Sequence, residues 1–174
     1  TLRTAEPERI LPQMAGDALI AAFYLSELAL RLTTREDPHL TLFDAYATAL
    51  ESLRATGGRM ESRHIAPALR RFEKALLAEL GYAPEFDRTA DTQRPVRADV
   101  HYWVSPDRGV LEHDPGHGIP ATSGRALLDL AHDRYGEAPT GLECRNLMRH
   151  LIGYRLEGRA LHTPLLMREL RGLA

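Results

Sequence analysis

Apolar residues recur at helical spacing in several separate segments, and this pattern predicts a mainly α-helical domain. The stretch from residue 16 to residue 33 is apolar almost all round, which is typical of a helix at the centre of a helix bundle. A second pattern, from Phe43 to Leu53, follows Asp37 and Pro38, a good N-cap residue and a proline suited to the first turn. We therefore expect Asp37 to be the N-cap of the second helix and Pro38 to lie in its first turn.

Four further helices complete the expected bundle. A third helix is predicted at about residues 61–80, with Gly81 as a left-handed residue that ends it. Helical patterns at about residues 123–135 and 140–157 predict a fourth and a fifth helix. A threonine followed by a proline marks the start of a short last helix at about residues 163–170. The fold class is therefore mainly α, with about six helices.

The periodicity changes between the third and fourth helices, at about residues 83–121. Residues 100–104 alternate between apolar and other side chains, as in a strand, and residues 105–109 have the composition of a turn. Residues 110–111 could return as a second strand. We interpret this region as a small β-hairpin insert in a single helical domain that covers residues 7–174.

The composition is that of an ordinary globular domain and does not indicate a particular function. Hydrophobic residues make up 44% of the chain, the usual share for a globular domain, and the net charge of -2 gives no overall attraction to nucleic acid. Cys144 is the single cysteine, so the chain can form no internal disulfide. We see no apolar run long enough for a membrane helix and no secretion signal, and therefore expect a cytoplasmic protein.

One motif suggests metal chemistry. His113, Asp114 and His117 resemble the run of histidine and aspartate in HD-type metal-dependent phosphohydrolases, and His132 with Asp133 forms a second such pair. That family carries its pair on a helix, whereas a proline and two glycines surround the first pair here. We keep this enzyme class as the alternative and predict no catalytic residues, no metal site and no cofactor.

Four segments, in order, resemble the RecO family of recombinational DNA repair proteins. Residues 68–82, ALRRFEKALLAELGY, are similar to the family signature LRRFE…LL..LGY. Residues 23–28, 37–43 and 158–163 are similar to its YxNEL helix, its DPxxxLF helix start and the stretch before its final helix. Residues 1–6 resemble the last strand of the OB-fold that precedes the helical domain in that family. The resemblance spans nearly the whole chain.

The resemblance implies a non-catalytic adaptor. RecO proteins anneal complementary strands and work with RecR to load RecA onto DNA coated by single-stranded DNA-binding protein. Their helical domain captures the acidic C-terminal tail of that coat protein, and their OB-fold grips single-stranded DNA. The OB-fold has no counterpart in this sequence, so we expect DNA binding to depend mainly on that missing part. A helical scaffold that only supports an OB-fold is a third reading.

The resemblance also implies which arginines bind. A tail that ends in an aromatic side chain and a free carboxylate needs an apolar pocket with guanidinium groups at its mouth. Arg70, the first arginine of the signature, is the first candidate for this role, and Arg71 is the second. A stripe on the fifth helix could contact nucleic acid instead, if that helix extends far enough; its members are Arg145, Arg149, Arg155 and Arg159.

The sequence departs from the family pattern in two places. Some relatives carry four cysteines around the insert as a zinc site, but Thr89, Thr92 and residues 112–115 stand at these positions, so no structural zinc is expected. His162 and Pro164 replace a lysine and an arginine of the stretch before the final helix, which weakens any phosphate contact there.

Overall fold

The structure is a computed structural model that describes residues 14–34, 37–55, 62–116, 118–135 and 140–163. Within these residues the chain forms five helices and three strands, which confirms a mainly α fold. In chain order they are α1 (Gly16–Leu32), α2 (Leu40–Arg54), α3 (Ser62–Glu79), β1 (His101–Ser105), β2 (Gly109–Leu111), β3 (Ala121–Ser123), α4 (Gly124–Ala131) and α5 (Thr140–Arg155). The bundle of six helices is not confirmed, because most of the expected last helix, and the expected OB-fold remnant at residues 1–6, lie outside the described residues.

Helix α3 is the centre of the helical part, because α1, α2 and α5 all pack against it. Its large apolar side chains Phe72, Leu76 and Leu77 are at most 1% exposed. Tyr46 of α2 meets the Phe72 ring edge-on, with the two ring centroids 5.9 Å apart. Complete burial of one such side chain contributes about 1.5–3 kcal/mol. This layer is therefore a main source of the stability of the helical part.

The end of α3 is formed as the sequence predicts. Gly81 has a φ of 75°, in the left-handed region that a side chain disfavours. The Tyr82 amide donates to the Leu77 carbonyl at 2.7 Å, and the Gly81 amide donates to the Ala78 carbonyl at 3.0 Å. This pair of bonds satisfies carbonyls that the helix end leaves free. The glycine thus stops α3 and turns the chain into the insert.

Helix α1 is not buried on all sides, so its predicted position at the centre of the bundle is wrong. Its small and branched residues face the core; these are Ala18, Ala21, Ala22, Leu25 and Leu28. Phe23 is 53% exposed and Leu30 is 82% exposed. The buried residues of α1 lie on the side that packs against α2 and α3, so its large apolar side chains on the other side are exposed. No helix in the described ranges is both long and apolar enough to cross a membrane.

Helix α2 begins at Leu40, with His39 as its N-cap residue, so the predicted N-cap at Asp37 is wrong by two residues. A tertiary contact explains the difference. The Nδ1 atom of His39 lies 3.2 Å from Oε1 of Glu79, near the end of α3, and its Nε2 atom lies 3.6 Å from the Asp37 carboxylate. These contacts hold the residues before Leu40 against α3, in a conformation that is not helical.

The insert is a three-stranded antiparallel sheet with the strand order β2-β1-β3. The predicted hairpin of β1 and β2 is confirmed, and Trp103 of β1 pairs with Leu111 of β2. The third strand was not predicted. Its sequence, Ala-Thr-Ser, is too short to show a strand pattern, and its pairing of Ala121 with Trp103 exists only in the folded chain. The sheet thereby leads directly into α4.

Gly124 joins the sheet to α4 by a close backbone approach. Its amide donates to the Val100 carbonyl at 2.7 Å. A Cβ atom at this position would lie 1.9 Å from the Arg97 carbonyl oxygen, which is shorter than any tolerated contact. Ser123 caps the helix at the preceding position, because its hydroxyl accepts a bond from the Ala126 amide at 3.2 Å. Only glycine therefore allows this junction between insert and helix.

Hydrogen bonds join the loop that carries Thr89 and Thr92 to the loop that carries Glu112. The hydroxyls of Thr89 and Thr92 lie 2.7 Å apart, and the Thr92 hydroxyl donates to the Glu112 carboxylate at 2.6 Å. Arg94 adds backbone bonds to Thr89 and an ion pair of 3.6 Å with Glu112. Polar side chains thus hold the edge of the insert together at these positions.

Candidate partner-docking site

Helix α3 carries Arg70 and Glu73 into the interior of the helical part. The two residues are three positions apart, so they share one face of the helix. Arg70 is 6% exposed and Glu73 is 1% exposed. The sequence predicted Arg70 at the mouth of a surface pocket, whereas the structure places it among buried residues. Two ionisable side chains at this depth require partners, because burial of an unpaired charge costs several kcal/mol.

A tyrosine from α1 completes this group. Nη2 of Arg70 donates to Oε1 of Glu73 at 2.6 Å, and the hydroxyl of Tyr24 donates to the same oxygen at 2.8 Å. We call Tyr24, Arg70 and Glu73 the Arg70 cluster. It links α1 to the middle of α3 by charge-assisted hydrogen bonds, which are shorter and stronger than neutral ones.

The Arg70 cluster leaves strong hydrogen-bonding atoms without partners. Nε and Nη1 of Arg70 and Oε2 of Glu73 are buried and contact no donor or acceptor in the described part of the chain. Arg54 and His150 each leave one buried nitrogen in the same state. Arg70 differs from these two because it leaves two donors on one planar group. An incoming carboxylate can accept a charge-assisted hydrogen bond from a free guanidinium donor of this kind.

The charges around the cluster favour an anion. Burial raises the pKa of Glu73, and this rise is opposed by the charge of Arg70, the bond from Tyr24 and the charge of Arg149. Burial and the Glu73 carboxylate raise the pKa of Tyr24, so its hydroxyl stays protonated and remains a donor. Arg149 belongs to α5, which packs against α3. The charges of Arg70 and Arg149 thus both favour the ionised form of this carboxyl group, while burial acts against it.

Arg71 belongs to a different surface. It is exposed, and its guanidinium carbon lies 5.9 Å from the centre of the Tyr135 ring. Beside it, Lys74 donates to the Leu130 carbonyl at 2.9 Å and forms an ion pair with Asp133. The two arginines of the signature are thus adjacent in sequence but face separate parts of the molecule.

The four arginines predicted as one stripe do not form one. Arg145 and Arg149 are exposed on α5. The helix ends at Arg155, so the condition under which Arg159 would lie on the same face is not met. Arg159 instead folds back and donates to the carbonyls of Leu156, at 3.1 Å, and Arg31, at 3.3 Å.

Arg155 is held by a second cluster at the end of α5. Its Nη2 atom donates to the Pro106 carbonyl at 2.7 Å and to the Asp107 carboxylate at 3.0 Å. Its guanidinium carbon lies 3.8 Å from the centre of the Tyr82 ring, and the Tyr154 hydroxyl donates to the same aspartate. We call these five residues the Arg155 cluster. It fastens the hairpin turn to the ends of α3 and α5.

A surface cavity of about 720 Å³ lies beside the Arg155 cluster. Leucines, aromatic rings and two arginines contribute to its wall; these are Leu32, Leu80, Tyr82, Tyr154, Arg155 and Arg159. Arg70 does not line it. From Arg70 to Leu80 the distance along the chain corresponds to about 15 Å of helix. The cavity and the Arg70 cluster are therefore separate candidate places for a bound partner.

Sequence reasoning missed two members of the Arg70 cluster. Glu73 follows Arg70 at a spacing that favours an ion pair in any helix, so its role could have been expected. Tyr24 reaches Glu73 across 49 positions of sequence, and only the packing of α1 on α3 brings them together. The burial of the pair was also not predicted.

The alternative of an HD-type metal-dependent phosphohydrolase requires a cluster of metal ligands. In the described residues, no three histidine, cysteine or acidic side chains are grouped to hold a metal ion. His113 and Asp114 are exposed in a loop, and His117 lies outside the described residues. Asp133 is engaged by Lys74 and by the Tyr135 hydroxyl. Burial raises the pKa of the Cys144 thiol to about 11, which disfavours the thiolate that a nucleophile requires.

Comparisons with known proteins give the family. The profile described as "Recombination protein O C terminal" matches residues 14–163. The chain is 39% identical to the DNA repair protein RecO of Cupriavidus pinatubonensis over 99% of its own length and 58% of that protein. For RecO of Aromatoleum aromaticum the identity is 40% over 99% of the chain and 70% of that protein, and for RecO of Thiobacillus denitrificans it is 39% over 99% and 68%. The chain thus spans between 58% and 70% of the length of these relatives, and it belongs to the RecO family.

Proposed function

We propose that this chain is a non-catalytic part of a DNA repair and recombination mediator, and that it docks the acidic C-terminal tail of single-stranded DNA-binding protein. The tail would end at the Arg70 cluster, with its terminal carboxylate on the free guanidinium donors of Arg70. Family membership supports the repair role, since the matched relatives are named DNA repair protein RecO. Cooperation with RecR, loading of RecA and strand annealing are part of the same proposal.

The unpartnered Nε and Nη1 atoms of Arg70 carry this proposal. A buried donor without an acceptor costs about 1–3 kcal/mol, and more when it is charged. An incoming carboxylate would remove this cost, so part of the binding free energy comes from a penalty that the free protein already bears. A ligand that supplies only a neutral acceptor would recover less of it.

Glu73 and Tyr24 would orient the guanidinium for this contact. The bond of 2.6 Å from Nη2 to Glu73 fixes the plane of the Arg70 group, and Tyr24 fixes the carboxylate that holds it. An oriented guanidinium loses little rotational freedom when it binds a second carboxylate. Arg149, on the adjacent helix α5, would attract the acidic residues that precede the end of the tail.

Fluorescence anisotropy with a labelled tail peptide tests the proposal. The peptide is compared with the same peptide ending in a C-terminal amide, which removes the carboxylate and leaves the rest of the ligand unchanged. We expect amidation to weaken binding to the wild-type chain at least about tenfold, which corresponds to about 1.4 kcal/mol. Equal affinity of the two peptides would contradict a carboxylate contact.

Two variants place the contact at Arg70. Arg70→Lys keeps the charge opposite Glu73 but loses the guanidinium donors. The peptide with a free C-terminal carboxylate should therefore bind this variant about as weakly as the amidated peptide binds wild type. Amidation should cause no further loss of affinity in the variant. Arg125→Ala removes an exposed arginine of α4 and serves as the matched control, with unchanged binding. If Arg159→Ala abolishes binding while Arg70→Lys does not, the tail lies in the cavity beside the Arg155 cluster instead.

A further inference from the structure

Glu73 is the most deeply buried side chain of the Arg70 cluster, and only one of its two carboxyl oxygens has partners. The residue is 1% exposed. Its Oε1 atom accepts bonds from Nη2 of Arg70 at 2.6 Å and from the Tyr24 hydroxyl at 2.8 Å. Its Oε2 atom is buried and contacts no donor among the described residues. The carboxyl group can therefore bind a proton at Oε2 without losing either hydrogen bond at Oε1.

The charge of the Glu73 carboxyl group depends on few neighbouring groups. Those that act on it come from α1, from α3 itself and from α5; they are Tyr24, Arg70 and Arg149. Helix α2 also packs on α3, through the Tyr46 ring against Phe72, but in the described part of the chain it contributes no charged group that acts on Glu73. Arg149 is exposed, so water weakens its effect. Arg70 is therefore the main charge that favours an ionised Glu73 in the free protein.

A carboxylate that docks at Arg70 changes this balance. It would bind the same guanidinium as Glu73, so the two negative charges would lie within the roughly 4–6 Å over which a like charge disfavours ionisation. One guanidinium neutralises only one of them, and burial makes the second charge costly. A peptide α-carboxyl group is a stronger acid than a glutamate side chain, and burial already raises the pKa of Glu73. Glu73 is therefore the group that becomes neutral.

We propose that docking of a carboxylate at Arg70 is coupled to the uptake of a proton from solvent at Oε2 of Glu73. The inference rests on the proposed docking of the tail and adds how that site is regulated, since binding strengthens as the pH falls. An O–H bond forms at Glu73, and no bond of the peptide breaks. The proton also turns Oε2 into a donor, which a carboxylate oxygen can accept.

Isothermal titration calorimetry of the wild-type chain with the tail peptide measures this coupling. The titration is run at pH 7 and one ionic strength in PIPES and in imidazole, two buffers with different enthalpies of ionisation. The difference between the two binding enthalpies, divided by the difference between the ionisation enthalpies, gives the number of protons taken up. We expect about 0.5–1 proton per peptide with a free C-terminal carboxylate. The amidated peptide is the matched control and should take up none, because it carries the same side chains without the terminal charge.

The affinity should follow the same proton. Between pH 6 and pH 8, fluorescence anisotropy should show the affinity of wild type for the carboxylate peptide falling about 3- to 10-fold per pH unit. Glu73→Gln keeps an acceptor in place of Oε1 and puts an amide donor in place of Oε2, so it mimics the protonated carboxyl group. This variant should bind the peptide more tightly than wild type at pH 8, with an affinity that does not change over this range.

The outcomes separate this inference from the docking proposal. Binding that amidation weakens, but with fewer than about 0.2 protons taken up, would overturn the inference and leave the docking proposal intact. Equal uptake with both peptides would also overturn it, because the proton would then not depend on the terminal carboxylate. If the carboxylate peptide does not bind at all, the docking proposal fails and the inference fails with it. The calorimetric comparison uses the wild-type chain only, so it decides the question even if Glu73→Gln does not fold.

Discussion

Arg70 and Arg155 each bind a carboxylate that also accepts a hydrogen bond from a tyrosine. The two arginines differ in how many of their own donors have a partner. The Arg155 guanidinium has two acceptors and an aromatic ring as partners, and its side chain is 17% exposed. The Arg70 side chain is 8% exposed, binds one carboxylate oxygen of Glu73 and leaves two buried donors without a partner among the described residues. The donors of Arg155 thus find acceptors within the chain, whereas two donors of Arg70 lack an acceptor among the described residues. Unsatisfied donors, rather than exposure, therefore distinguish the candidate docking site from a structural contact.

The largest expected effect comes from Glu73→Ala. Removal of the only described partner of Arg70 leaves a buried charge uncompensated, which should lower the free energy of unfolding by about 3–5 kcal/mol. Urea denaturation followed by circular dichroism measures this loss. The control is the double variant Arg70→Met with Glu73→Leu, which should stay within about 2 kcal/mol of wild type because both charges are gone. A loss below about 1 kcal/mol in Glu73→Ala would show that water reaches the cluster.

A pH titration of the free energy of unfolding should measure the contribution of Glu27. Like Asp107 beside Arg155, this carboxylate accepts all its hydrogen bonds from groups of the chain itself. Burial alone would raise its pKa, but the bonds from His162, Thr163 and Arg31 lower it from 4.5 to about 2. Because the folded pKa lies below the unfolded one, the stabilisation is complete above pH 4.5 and is lost as the pH falls toward 2. We expect this contribution to be about 2 kcal/mol.

The matched control for this titration is Glu27→Gln. The difference in unfolding free energy between wild type and this variant should be constant from pH 7 to pH 5 and should shrink between pH 4.5 and pH 2. A difference that does not change with pH would mean that the Glu27 carboxylate gains nothing from its charge in the folded chain.

Arg155→Ala should have a smaller effect than Glu73→Ala. It removes two hydrogen bonds and a contact with the Tyr82 ring, but the groups left behind can reach water, so the expected loss of stability is about 1–2 kcal/mol. Thermal or urea unfolding checks this value against Arg125→Ala, which should lie within about 0.5 kcal/mol of wild type. A loss as large as that of Glu73→Ala would remove the distinction between the two clusters.

Asp107→Asn should have the smallest effect of the series. The aspartate is 56% exposed, and exposed ion pairs contribute about 0.2–1 kcal/mol. Its ion pair with Arg155 should also weaken in salt, so the variant and the wild-type chain should approach the same stability at 1 M sodium chloride. An effect of Asp107→Asn that exceeds that of Arg155→Ala would identify the carboxylate, rather than the arginine, as the centre of the cluster.

Local pattern was sufficient for much of the helical part. The bounds of α3 and the left-handed Gly81 follow from spacing and from the conformational freedom of glycine, both of which act within a few residues. The turn between β1 and β2 is predictable for the same reason. Contacts across the chain caused the errors: His39 shifts the start of α2, and the unequal cover on α1 exposes Phe23.

The sequence by itself determined the mainly α class, the insert between α3 and α4, and the four segments that resemble the RecO family, because these depend on local spacing and residue type. It also pointed to Arg70 through the family signature. Only the tertiary structure decided that Arg70 is buried with Glu73 and Tyr24 while Arg71 stays exposed. The physical reason is that burial and free hydrogen-bonding capacity depend on which helices pack together, and two adjacent residues of one helix face different neighbours.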